Sequence, residues 1–128
     1  MVFSVEYRRK ESFRHVLIHE VPVTYTIQKD GRTTYQKGKI VDISPSGLKL
    51  FTEENLQYER RTLELDLSFI LYSKPINVKG DVRWKKTSGD GYYYGIDMDN
   101  VEEHQELIIS ELKLRRKKEV FEEKRQNS

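Results

Sequence analysis

Apolar and polar positions alternate with a period of two through most of this chain, the signature of half-buried strands. Val21, Val23, Tyr25 and Ile27 fall on one side of the alternation, with polar residues between them. Lys29-Asp30-Gly31-Arg32 follows, where an Asp-Gly pair supplies the positive φ angles of a tight hairpin. The return strand runs from about Thr33 to Ile43 and is broken by Ser44-Pro45-Ser46-Gly47. Alternation restarts at Leu48, Leu50 and Thr52, and is cleanest at Leu63, Leu65, Leu67 and Phe69. Ile76, Val78, Val82 and Trp84 form the next run. Gly80 inside it predicts a bulge or corner, and the alternation assigns Trp84 to the core. Ser88-Gly89-Asp90-Gly91 reads as a turn, and Tyr92, Tyr94, Ile96 and Met98 as the last strand. Alternation puts the three tyrosines at 92–94 half in the core and half on the surface. Six or seven short strands at this spacing, with turn signals between them, predict a small antiparallel barrel.

After Asp99-Asn100 the period becomes helical. Asn100 is the expected N-cap, with Glu102 and Glu103 in the first turn, where the helix dipole favours acids. Leu107, Ile108, Ile109, Leu112 and Leu114 give an apolar face that plugs or flanks the barrel. A helix unbroken to about Lys124 spans roughly 35 Å, longer than a small barrel covers. Leu107, Leu114 and Phe121 repeat every seven residues. The overhang either frays in water or associates with a partner or a second copy as a homodimer.

Composition narrows the function classes. The 128 residues carry 34% charged and 36% hydrophobic residues, with fourteen aromatics (8 Tyr, 5 Phe, 1 Trp), enough for one domain with a modest core. No apolar run reaches the roughly 18 residues of a membrane span. The N-terminus, MVFSVEYRRKESFR, has no apolar stretch of the secretory kind. The absence of cysteine removes disulfides, thiol nucleophiles and cysteine metal sites, so a cytoplasmic protein is expected. The net charge of +2 gives no whole-protein field suited to a nucleic-acid polymer. His15 and His19 share a strand face but have no evident third ligand, and His104 reads as a surface helix residue. Asp97 and Asp99, an acid pair entering a helix, read as a cap and not as a catalytic pair. With no nucleophile–base set and no phosphate loop, an enzyme is not expected.

Two segments carry the chemistry. One is the basic run Arg8-Arg9-Lys10-Glu11-Ser12-Phe13-Arg14; the other is Asp42-Ile43-Ser44-Pro45-Ser46-Gly47, a D-x-S-x-x-G pattern at a strand end. An ionised Asp42 is an acceptor-only group suited to paired N–H donors such as a guanine N1/N2 edge. Ser44 donates or accepts, and Gly47 allows a close approach that a Cβ blocks. Arginine forks suit phosphate or guanine O6 and N7. Alone, the second pattern arises by chance in about 3% of chains this long and is also ordinary turn chemistry.

Together the two segments resemble a PilZ domain, the bacterial receptor module for cyclic di-GMP, over about Tyr7 to Leu114. Asp42, Ser44 and Gly47 match the family's D/N-x-S-x-x-G in full, and Tyr94-Gly95-Ile96-Asp97-Met98 is similar to its late glycine-containing strand. The first motif, R-x-x-x-R, is met with a substitution: Lys10 and Arg14 have its spacing, with Arg9 as the preceding arginine. Lysine pairs with phosphate but lacks the bidentate fork. The resemblance implies a six-stranded antiparallel β-barrel with a C-terminal helix. It divides the chain into a mobile basic arm (1–16), a barrel (17–100) and a helix (101–125). It implies cyclic di-GMP as ligand, held by Arg8, Arg9, Lys10, Arg14, Asp42, Ser44 and Gly47, with the arm ordering on binding and signalling to an unidentified effector protein. A second reading, supported by Lys10, keeps the fold as a protein-interaction adaptor that no longer takes the nucleotide.

Overall fold

The computed structural model describes residues 15–29, 32–56 and 63–126. Among the described residues six strands run β1 (His15–Lys29), β2 (Arg32–Ile43), β3 (Gly47–Thr52), β4 (Glu64–Ile70), β5 (Pro75–Ser88) and β6 (Gly91–Met98), followed by a helix, α1 (Glu102–Gln126). They close into a barrel in the order β1-β2-β3-β6-β5-β4, with every neighbouring pair antiparallel. Closure leaves no free edge among the described strands, removing the template on which strands of another chain could pair. Asp30 and Gly31 of the expected hairpin lie outside the described residues; the strands they join are in register at Lys29↔Arg32. β1 already includes His15 and Val16, two residues that the sequence assigned to the arm.

The period-2 runs become the barrel interior. Leu65, Leu67 and Phe69 of β4, Ile76 and Val78 of β5, and Tyr94 and Ile96 of β6 are all buried. Two buried tyrosines keep their hydroxyls paired, as a desolvated polar group requires. Tyr25 donates to Thr52 Oγ1 at 2.9 Å, and burial pushes its pKa up to about 12 against the lowering effect of that bond. Tyr94 donates to the Glu54 carbonyl at 3.0 Å and accepts from the Leu56 N–H at 2.8 Å, tying the segment after β3 to β6. Of the bulge or corner expected at Gly80, no bulge is present. The pairing of Gly80 with β4 is unbroken, and a Cβ there meets Ile96 Cγ2 at 2.5 Å, so its role is close packing. The irregularity falls instead between Val82 and Trp84.

The helix flanks the barrel. Asp99, not Asn100, supplies the acceptor at its start. Its carboxylate takes the Val101 N–H at 3.3 Å and the Lys79 N–H at 3.2 Å, and lies 3.0 Å from His104 Nδ1. Burial acts to raise the Asp99 pKa, but the His104 contact and the two N–H bonds outweigh it, and the net shift is downward. Ile108 and Leu112 enter the core. Beside them Glu111, 1% exposed, accepts the N–H groups of Ser73 at 2.9 Å and Lys74 at 2.6 Å in the β4–β5 turn. Arg115 donates from Nη1 to the Leu71 carbonyl and from Nη2 to the His19 carbonyl, and pairs with Glu119. One face of α1 thus holds both the β4–β5 turn and the irregular opening stretch of β1, where the register with β2 shifts between Val16 and Val21. Among the described residues no helix is long and apolar enough to cross a membrane.

Candidate functional site

The D-x-S-x-x-G segment forms the tight connection from β2 to β3. The Ser44 N–H donates to the Gly47 carbonyl at 2.7 Å, and the Ser44 hydroxyl both donates to that carbonyl at 3.2 Å and accepts the Gly47 N–H at 3.1 Å. Ser44 is 5% exposed, so its hydroxyl lies inside the turn and is not turned to solvent. A Cβ on Gly47 would sit 3.2 Å from the Ile96 carbonyl oxygen, a tight approach that the backbone of β6 would have to yield to by a few tenths of an ångström. The turn is also pinned to β6 by the Met98 N–H, which donates to the Ser46 carbonyl at 2.9 Å.

Asp42 reaches the outer face through a bulge. Strict alternation from the buried Ile40 would turn Asp42 inward. The β2–β3 register shifts between Ile40 and Asp42, so Val41 is the extra residue. Asp42 then points outward while Ile43 returns to the core. From Asp42 a row of paired residues crosses the outside of the barrel: Asp42↔Lys49 from β2 to β3, Lys49↔Gly95 from β3 to β6, and Gly95↔Trp84 from β6 to β5. At about 4.8 Å per strand the row is roughly 14 Å long. Beyond Asp42 it continues to the exposed Val16 of β1.

Trp84 is 41% exposed and stands at the end of this row, contrary to the expectation that it belongs to the core. The same device accounts for it: the bulge after Val82 inserts Arg83 as an unpaired residue, and the indole comes out on the solvent side. Its ring lies across Gly95, where a Cβ would be 1.9 Å from Trp84 Nε1. The result is a flat aromatic surface whose underside is covered by backbone.

The two neighbouring rows on the same face differ in charge. Towards the motif turn, Gly47↔Asp97, Asp97↔Asp81 and Asp81↔Glu64 make an acidic row, with Arg83 bonded to Asp97 at 2.7 Å. It borders a cleft of about 260 Å³ that also takes in Ser46 and Lys79. On the other side, Lys39↔Phe51, Phe51↔Tyr93 and Tyr93↔Lys86 make a basic and aromatic row. Lys49 Nζ lies 4.8 Å from the Tyr93 ring centroid, and Phe51 and Tyr93 pack at 5.3 Å. The three tyrosines divide as the alternation predicts, with Tyr93 outward and Tyr94 buried.

Arg8, Arg9, Lys10 and Arg14 lie outside the described residues. The described chain begins at His15, paired with Ile43, so the basic run connects directly to the barrel next to Asp42. Of the residues singled out in the sequence, Asp42, Ser44 and Gly47 come together. Trp84 and Lys49 join Asp42 on its face without a motif to announce them. Among the described residues no group of three or more His, Cys, Asp or Glu is placed to hold a metal ion.

Comparison with known proteins bears on this arrangement. The family model for the PilZ domain matches residues 7–114. Bacillus subtilis inhibitor of motility (MotI/DgrA) superposes with a TM-score of 0.62 at 13% identity, over 84% of this chain and 50% of that one. The present chain therefore spans about half the length of that protein. The PilZ domain of CeSA from a cellulose-synthesizing bacterium superposes with a TM-score of 0.53 at 15% identity, over 83% of this chain and 97% of that domain. No curated protein matches the sequence. At these identities the two structures bear on the fold alone.

Proposed function

The chain belongs to the PilZ family, and on that premise we propose that it is a bacterial cytoplasmic adaptor that binds cyclic di-GMP on the outer face of its barrel and passes the event to a protein partner. The observation that carries this reading is the row Asp42–Lys49–Gly95–Trp84, which ends beside the point where the basic run joins the barrel. Asp42 offers paired acceptors to the N1–H and N2–H edge of a guanine. The Trp84 indole offers a flat face for a purine ring, a contact that is strong and tolerant of exact register. The acidic row at Asp97, Asp81 and Glu64 repels phosphate, so the ligand's phosphates turn towards Lys49 and the basic run. Ser44 and Gly47 act by fixing the turn that presents Asp42. Arg8, Arg9, Lys10 and Arg14 then close over the ligand from the residues ahead of His15. Each charge-assisted bond contributes about 1.5–3 kcal/mol, enough in combination to offset the ordering of a short segment.

The test is a titration of cyclic di-GMP into the protein at about 150 mM salt, with GTP as control, followed by calorimetry and by the fluorescence of Trp84, the single tryptophan. Saturable micromolar or tighter binding, a change in the Trp84 signal and no response to GTP are expected. Absence of both heat and signal would overturn the ligand assignment. It would favour the second reading, an adaptor working through protein contacts alone, for which Lys10 in place of the first motif arginine is the supporting observation.

A further inference from the structure

The second half of α1 extends past the barrel contacts described above, which end at Arg115. The helix has 25 residues, about 37 Å of length. Its inward face is spent on Gln105, Ile108, Glu111, Leu112 and Arg115. On another flank, Leu107, Leu114 and Phe121 follow at seven-residue intervals. Leu107 is half-buried, Leu114 is 42% exposed and Phe121 is 65% exposed. Leu107 packs in part against the barrel core, while Leu114 and Phe121 stand open further along the same stripe.

The charges beside the stripe say what covers it. At 100° per residue, Glu103 lies on the stripe and Glu106 beside it in the first half of the helix; in the second, Arg125 lies on it and Lys117, Lys118 and Lys124 beside it, with Glu122 as the one acid, on the flank away from Glu106 and Lys124. A second helix laid parallel sets each acid against its own counterpart and each lysine against a lysine. Laid antiparallel about a two-fold axis at Leu114, it sets Leu107 against the partner's Phe121, Glu103 against the partner's Arg125, and Glu106 on the same flank as the partner's Lys124 and within one turn of it. Lys117 and Lys118 then fall opposite the stretch around the partner's Ser110. Such an arrangement is self-complementary in both shape and charge, as a two-fold interface between identical chains must be.

We propose that this protein associates with a second copy of itself through antiparallel pairing of α1 along the Leu107–Leu114–Phe121 stripe. The pairing does not depend on the ligand reading above. A single helix pair is a small interface, so a weak, concentration-dependent dimer is expected. Sedimentation velocity of the full chain from about 5 to 500 µM is the test. It should show a monomer–dimer shift that weakens as salt rises. Phe121→Glu should abolish the dimer with unchanged thermal unfolding, since Phe121 is exposed. Glu106→Lys should weaken it about tenfold, and adding Lys124→Glu to that variant should restore it, because the two residues lie on one flank within a turn of each other across the axis. A monomer across the whole range, a dimer that survives Phe121→Glu, or no rescue by the second charge reversal would overturn the proposal.

Discussion

Replacing Gly95 by alanine moves Trp84 while removing no group that could bond a ligand. The added Cβ would stand 1.9 Å from Trp84 Nε1, 2.2 Å from Cε2 and 2.5 Å from Cδ1. Ordinary contacts of this kind are about 3.5 Å, so the ring must lift by roughly 1.5 Å or swing away. Swinging is open to it, because Trp84 is already on the solvent side and the inward Val82 and Ile96 need not move. Losing the cover on one ring face exposes about 50–100 Å² of apolar surface, or about 1–2.5 kcal/mol at 25 cal/mol per Å². The melting temperature should therefore fall by several degrees, at roughly 4 °C per kcal/mol for a domain of this size. The larger effect is on binding. A base stacked on an aromatic ring is worth about 1–3 kcal/mol, so affinity for cyclic di-GMP should drop between about fivefold and a hundredfold. Calorimetric titration gives the affinity, and the emission maximum of the sole tryptophan reports whether the ring has moved. Trp84→Phe keeps a smaller ring over Gly95 and should lose less. A red-shifted Gly95→Ala variant that binds with unchanged affinity would refute the stacking role.

Asp42→Ala and Arg14→Ala should each weaken cyclic di-GMP binding tenfold or more in the same titration, with unchanged circular dichroism; wild-type affinity in either would remove that residue from the site. Lys10→Arg restores a bidentate fork and should tighten binding or leave it unchanged, and a large loss would show that Lys10 is not at a ligand contact. Glu111→Gln should cost about 1–3 kcal/mol in urea unfolding at pH 7, since the carboxylate accepts the Ser73 and Lys74 N–H groups. Burial acts to raise the Glu111 pKa, but the N–H bonds of Lys74, Ser73 and Tyr72 outweigh it and hold it below the ordinary 4.5. A pKa lowered by folding stabilises fully above the unfolded value and is lost as pH falls through the folded one. The gap between wild type and Glu111→Gln should accordingly be constant from pH 6 to 8 and shrink below about pH 4.5. A gap independent of pH would show that the charge is not what holds the turn.

The barrel was legible in the sequence because its interior is written in period-2 runs such as Leu65–Leu67–Phe69, and a closed antiparallel sheet asks little more of a chain than that alternation and its turns. Where reading the sequence went astray, the alternation itself was interrupted. Trp84 follows Val82 at the spacing of a core residue, yet Arg83 is an extra residue in that strand and turns the indole out. The same interruption at Val41 turns Asp42 out, and there the motif spacing marked the residue although the periodicity did not. A bulge adds one residue to one strand only, so it is a property of the pairing with a neighbour and leaves no mark in the strand's own pattern. Asp42 and Trp84, the two ends of the proposed site, both owe their place to one. The acid pair Asp97 and Asp99 does read as a cap in the sequence, and Asp99 is one; what the sequence hides is its second bond, to the Lys79 N–H in β5, and that Asn100 beside it takes no such role. Lys49 and Gly95 stand between Asp42 and Trp84 only because β3 pairs with β6 and not with the next strand in sequence. The site is thus assembled by non-local register, while the fold that carries it is specified largely by local alternation. A barrel of this kind can keep its inward pattern and change which side chains its outer face presents by moving a single bulge.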